Sequence, residues 1–161
     1  MAEVFVKKGK ARPFWFRHPW VFSGAVDHVE GVSRDGEIVT VVDVDGSFIG
    51  QGLYNHRSQI RVRILSHDPD EVLDTDFFRA RMNRAIDLRE KVLRFEAQGT
   101  TGYRLVHGEG DGLGGVVVDR YADHLVIQFS ALGMKQRERV FLDLLIERLE
   151  PRCIYENANF P

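Results

Sequence analysis

Apolar and charged residues alternate most sharply at Ile60-Arg-Val-Arg-Ile64. A period of two puts Ile60, Val62 and Ile64 on one face of a strand, and Arg61 and Arg63 on the other. Upstream, Glu37–Val44 is rich in β-branched residues and Asp45-Gly46 is a strong hairpin turn. Ser47–Tyr54 can then return as the partner strand. Gly50 and Gly52 within that return mark a bulge or a close approach of neighbouring backbone. Several short strands at this spacing predict a small barrel. Beyond the polar stretch Ser66–Asp70 the period changes. Pro69 disfavours helix at Asp68, and Asp74 or Thr75 is placed to cap one. Phe78, Met82, Ala85, Leu88 and Val92 then recur at helical spacing, and Gly99 to Gly102 end the helix.

Two short apolar runs come next, Leu105-Val106 and Val116-Val117-Val118, with the glycine-rich Gly108–Gly115 between them. From Gly110 to Gly115 the letters fit G-x-G-x-x-G, a pattern that cradles a dinucleotide only when a helix succeeds it. Three β-branched residues succeed it here, and these favour a strand. The stretch therefore predicts a hairpin. Leu125–Phe129 is a third strand, and Gly133 opens a second helix with Phe141, Leu144, Leu145 and Leu149 on one stripe. Pro151 stops that helix, and Arg152–Tyr155 is a last strand. Helix, strands, helix, strand is an α+β domain.

Composition adds bounds. The 161 residues suffice for one large domain or two small ones. No apolar run is long enough to cross a bilayer, and the first residues lack a signal peptide's apolar core. Cys153 is the single cysteine, so no internal disulfide can form and a cytoplasmic setting is expected. It lies in an apolar strand and reads as a buried structural thiol. The six histidines have no close ligand spacing, so no metal site is expected. Asp111 reads as a residue that satisfies turn amides and Glu109 as a solvated one, in preference to an acid/base pair. Arg104, Asp119 and Arg120 read as a structural ion-pair set around the hairpin.

The net charge is −2, but unevenly spread: nine Lys/Arg stand against seven Asp/Glu in residues 1–66, and thirteen against seventeen in the rest. Residues 1–24 interleave Lys7, Lys8, Lys10, Arg12, Arg17 and His18 with Phe14, Trp15, Phe16, Trp20 and Phe22. Cations meet phosphates and aromatic rings stack on unpaired bases, so the mixture suits single-stranded or looped RNA. Alternatively the rings fill a small core and the cations form a solvated edge; Trp20 and Phe22 are expected to be partly or wholly core. Arg61 and Arg63 are either outward RNA contacts or plain solvated residues. The basic residues Arg79, Arg81, Arg84, Arg89, Lys91 and Arg94 have acids at i,i+3 and i,i+4, which favours an ion-paired helix face over an RNA-facing one.

Three stretches resemble the rRNA large-subunit methyltransferase I family: Arg17–Ala25, Tyr54–Leu65 and, over the longest match, Arg104–Tyr121. They occur in the family's order and span most of the chain. The family usually has proline at the positions of Gly114 and His56. The resemblance implies a PUA-like β pseudo-barrel over residues 1–67, followed by an α+β central domain over residues 68–161. In overall class the chain is α+β. It also implies rRNA as partner, with Lys8, Lys10, Arg12, Arg17, His18 and Arg61 as contacts. In that family S-adenosylmethionine is the methyl donor, bound in a Rossmann-like domain that follows the central one, where a cysteine attacks the base. Neither that cradle nor such a cysteine is read in these residues, so the expectation is an RNA-positioning part of a 23S rRNA cytosine-C5 methyltransferase. It would bind no cofactor and catalyse nothing alone. The competing expectation is a self-associating structural module, a homodimer without RNA binding.

Overall fold

A computed structural model describes residues 2–31 and 34–157. The chain divides into two compact units, Met1–Leu73 and Asp74–Pro161. Residues 68–73 run with the first unit. The buried Gln51 amide donates to the carbonyls of Asp68 and Glu71, and Leu73 is buried.

The first unit is a six-stranded sheet with one short helix. Its strands are β1 (Glu3–Val6), β2 (Trp20–Phe22), β3 (Val26–Glu30), β4 (Ile38–Val42), β5 (Phe48–Tyr54) and β6 (Ile60–Ser66), in the order β2-β6-β5-β4-β1-β3. β1 runs parallel to β4, and every other pair is antiparallel. The sheet curls around one face, where Val4, Val6, Val21, Val39, Val41, Ile49, Val62 and Ile64 are buried with Phe14. The expected alternation in β6 is observed: Val62 and Ile64 point to this core, while Arg61 and Arg63 are half-buried on the other side. The predicted turn at Asp45-Gly46 joins β4 to β5; the Asp43 carboxylate accepts from the amides of Asp45 and Ser47, and Gly46 has φ 79°. The glycines of β5 mark a close approach. A Cβ on Gly50 would lie 2.7 Å from the Ser66 carbonyl oxygen, and one on Gly52 would strike the Arg63 backbone. This crowding sits at the β5–β6 bulge and lets the sheet bend.

The second unit contains α2 (Thr75–Asp87), β7 (Gly102–His107), β8 (Val116–Tyr121), β9 (His124–Phe129), α3 (Leu132–Lys135), α4 (Glu138–Leu149) and β10 (Cys153–Glu156); α1 (Arg12–Trp15) belongs to the first. The sheet order is β10-β9-β8-β7, antiparallel except for β9 and β10, which the α3–α4 crossover joins in parallel. The glycine-rich stretch is the predicted hairpin: β7 pairs with β8, with Arg104 opposite Asp119. Helices and sheet meet at Phe141, whose ring lies 5.5 Å from Phe78 of α2 and 6.0 Å from Phe129 of β9. Asp74 is the helix cap: its carboxylate accepts from the Phe77 amide at 3.0 Å.

Three expectations change. The apolar stripe of α2 does not run on to Val92. After Asp87 the backbone opens into a π-helical turn at Leu88–Val92, where the Leu93 amide donates to the Leu88 carbonyl five residues back. The wider turn shifts the phase of the residues beyond it. Leu88 is 38 % and Val92 70 % exposed, while Phe77 and Ile86 join Phe78, Met82 and Ala85 in the core. Phe22 is not a core residue, and Trp20 is only partly buried. In the three-residue β2 only Val21 faces inward, leaving Trp20 half-buried and Phe22 exposed on the outer side. Cys153 is not buried either; it is half-buried at the start of β10, an edge strand of its sheet. No helix among the described residues is long and apolar enough to cross a membrane.

Candidate nucleic-acid interface

The connection from β1 to β2 carries five cations and no acid: Asp and Glu are absent between Glu3 and Asp27. Lys7, Lys8, Lys10, Arg12 and Arg17 are all exposed. The Lys7 ammonium reaches the Gly24 carbonyl at 3.3 Å. Among the described residues, Lys8, Lys10, Arg12, Arg17 and Arg61 have no carboxylate partner. Interleaved with them are three exposed rings, Trp15 at 49 %, Phe16 at 76 % and Phe22 at 44 %. Phe14 alone turns inward and closes the core beneath.

Local geometry holds this segment in one shape. Pro13 near the start of α1 presets its first turn. The helix ends in a Schellman arrangement: the His18 amide donates to the Pro13 carbonyl at 3.0 Å and the Arg17 amide to the Phe14 carbonyl at 2.9 Å. That motif needs a left-handed residue, and here it is Arg17, with φ 63°. Glycine would adopt this conformation at no steric cost, whereas a side chain there costs about 1 kcal/mol. His18 then anchors β2. Its Nδ1 accepts from the Trp20 amide at 3.2 Å, and its ring meets Trp20 at 6.3 Å and Phe22 at 6.3 Å. The Arg63 guanidinium lies 5.4 Å from the Trp20 ring, and that of Arg12 5.9 Å from Phe16. The structure therefore brings Lys8, Lys10, Arg12, Arg17 and His18 onto one continuous segment. Arg61 stands apart from it, half-buried on β6 next to Val62, which pairs with Val21 of β2.

The basic residues of the second unit are arranged otherwise. Arg79 meets Glu147 at 2.8 Å, Arg104 forks onto Asp119 at 2.9 and 3.1 Å, and Arg148 bridges Asp87 and Glu90, each at 3.0 Å. Arg120 meets Glu90 and Glu96 at 3.4 and 2.8 Å. Asp119 beside the Arg104 guanidinium raises its pKa, and Lys91 and then Arg148 lower that of Asp87. Lys91 and Asp87, 2.9 Å apart, have the expected i,i+4 spacing, whereas Arg79 finds its partner on α4; Arg104 and Asp119 pair as expected, but Arg120 turns to Glu90 and Glu96 instead of joining them.

Sequence reasoning missed Arg89. Four residues beyond Ala85, it lies in the π-helical turn that follows α2. Its guanidinium donates to the Ala85 and Arg104 carbonyls and pairs with Asp111 at 2.7 Å, the two side chains only 11 % and 8 % exposed. Asp111 also accepts from the His107 amide at 2.6 Å, so it satisfies a turn amide, as expected, and anchors a buried cation besides. The signal available was the helical spacing Met82–Ala85–Arg89, which puts a charge on the apolar stripe. Glu109 is exposed.

The glycine loop does not fit a cofactor cradle. Its amides turn inward: Gly112 N to Glu109 O, Leu113 N to Gly108 O, Val116 N to Leu113 O. The chain then enters β8, so no helix directly succeeds the loop. Among the described residues no group of three or more His, Cys, Asp or Glu could hold a metal ion.

Comparison with known proteins fits this division. Residues 4–67 match the family described as PUA-like domain. The first unit is a PUA-like domain. Over nearly its whole length the chain is related to proteins named ribosomal RNA large subunit methyltransferase I. That of Shewanella amazonensis is 40 % identical over 156 residues, and that of Aeromonas hydrophila 37 % over 159. These alignments take in 97 % and 98 % of this chain but 39 % of each relative, so the chain spans about two-fifths of their length. A solved Streptococcus mutans protein, assigned to the SAM-dependent methyltransferases, superposes with a TM-score of 0.79 at 16 % identity, over 99 % of this chain and 42 % of that one. A second methyltransferase-assigned structure, solved with SAH, gives 0.76 at 18 % identity over 96 % of this chain and 40 % of that one. At such low identity the two structures bear on the fold alone. The PUA-like domain contains the whole Lys7–Phe22 segment.

Proposed function

We propose that this chain is the RNA-recognition and substrate-positioning part of an rRNA-acting, S-adenosylmethionine-dependent methyltransferase. The target is 23S rRNA and the reaction methylation of cytosine C5. The PUA-like domain, residues 1–67, binds RNA through Lys8, Lys10, Arg12, Arg17 and His18, with Arg61 as a flanking contact. Residues 68–161 orient a catalytic domain that lies in the rest of the relatives' length and carries the cofactor.

The observation that carries this reading is the acid-free segment with its unneutralised cations. Arg17 strengthens it: an arginine kept where glycine would be less strained points to a role for its side chain. Phosphates are the natural partners of such a surface, and each contact that releases counterions makes affinity fall with salt. Filter binding to structured 23S rRNA fragments over a salt series tests it. Binding should weaken steeply with salt, and changing Lys8, Lys10 and Arg17 to Ala should lower both affinity and slope. Salt-insensitive binding, or none, would remove the reading. Calorimetry with S-adenosylmethionine should give no heat from this chain alone.

A second reading is self-association. It is favoured by Val92 and Leu93, 70 % and 40 % exposed beside the π-helical turn. Light scattering decides it, since a monomer at high concentration counts against it.

A further inference from the structure

The exposed rings of the first unit bear on which form of RNA it takes. Trp15, Phe16 and Phe22 lie within eight residues, and each shows between 44 % and 76 % of its surface to solvent. Apolar core formation does not require them, since Phe14 and Val21 already face inward from the same segment. Two of them have neighbours that restrain them. Phe16 is the helix cap and lies beneath Arg12, and Phe22 packs edge-on against Trp20 at 6.2 Å and against the His18 ring. Restrained rings lose little entropy when a flat partner lands on them. The cations around them select an anionic partner, and a flat group linked to a phosphate describes a nucleotide.

Resting on the reading of this segment as an RNA surface, we propose that Trp15, Phe16 and Phe22 are base-stacking platforms, so that the ligand is an RNA stretch whose bases are unpaired. In a duplex the base faces are stacked on one another, and a protein meets mainly phosphates and 2′-hydroxyls. Duplex RNA would engage Lys8, Lys10, Arg12 and Arg17 and leave the three rings in water. A single strand or open loop satisfies both sets.

The test is fluorescence anisotropy with the full 161-residue chain. Three labelled RNAs of equal length serve as probes: a single strand, the same strand in a duplex, and the strand with abasic sites replacing its central bases. The single strand should bind about tenfold or more tighter than either of the others, since each stacked base contributes roughly that factor. Trp15→Leu with Phe16→Leu should abolish the preference, and Phe22→Leu should weaken it. Leucine keeps an apolar side chain at these exposed sites, and an unchanged thermal melt would show each variant folded. The salt slope should stay the same in the leucine variants and fall in Lys8→Ala/Lys10→Ala. Duplex and single strand binding alike, with the leucine variants indistinguishable from the parent and the lysine variant weakened, would overturn stacking and leave RNA binding intact. No binding of any of the three RNAs would overturn both.

Discussion

In Asp74–Pro161, Arg79, Arg89, Arg104, Arg120 and Arg148 each end on a carboxylate within 3.4 Å. In Met1–Leu73, Lys8, Lys10, Arg12, Arg17 and Arg61 end on none among the described residues. The two groups contain the same kinds of side chain. What differs is the company each keeps. Arg104 meets Asp119 across the β7–β8 pair, while the other four reach carboxylates 22 to 68 residues away that the fold brings to them. From Val4 to Val26 there are no acids, so positive charge stays available to solvent and ligand. The five cations of the second unit are thus paired, and the five of the first are left without a carboxylate among the described residues.

Removing one member of the most buried pair should have the largest effect. Asp111→Ala strands the Arg89 guanidinium and frees the His107 amide; it should cost about 3 kcal/mol in denaturant unfolding. If that variant unfolds like the parent, the second unit's charges are not structural. Next comes the first unit's mirror experiment. Lys8→Ala/Lys10→Ala should leave stability within about 0.5 kcal/mol of the parent, while the salt slope of RNA binding should fall by roughly 0.7 for each phosphate that is no longer neutralised.

Arg17→Gly sharpens the contrast further, because stability and binding should move in opposite directions. Relief of the left-handed strain should stabilise the domain by about 0.5–1 kcal/mol, read by thermal melting, while RNA affinity falls. Reduced stability would mean that the Arg17 side chain supports the fold. Arg79→Ala, which breaks an exposed pair with Glu147, should change stability by less than about 0.5 kcal/mol.

The smallest effect concerns His28 on β3, stacked on Phe5 at 4.5 Å. The neighbouring Asp27 carboxylate, and less strongly Glu30, raise its pKa. A raised folded-state value means that the stabilisation is fully present below the unfolded pKa and disappears as pH rises through the folded one. Asp27→Ala should return the His28 titration, tracked by NMR, toward the ordinary histidine value.

Much of this was legible in the chain. Strand β6, the Asp45-Gly46 turn, the Asp74 cap and the glycine hairpin arise from periods and turn chemistry that act over a few residues. So does the basic, acid-free character of residues 4–26. The candidate surface was only half legible: its cations could be named, but which aromatics share it could not. Trp20, Val21 and Phe22 look alike as apolar letters, and only the pairing of β2 with β6 decides which face each takes. The stripe of α2 failed past Asp87 because a π-helical turn breaks the period on which the count relies.

By itself, then, the sequence determined the β4–β5 and β7–β8 hairpins, the Asp74 cap and the acid-free stretch from Val4 to Val26, since all of these are settled between residues near one another along the chain. Tertiary structure decided the partner of Arg89, the inward turn of Asp111 and the outward turn of the rings at 15, 16 and 22. Those outcomes depend on contacts such as Arg89 with Asp111, 22 residues apart. Only closing the fold brings such groups together, and burial then makes their pairing obligatory.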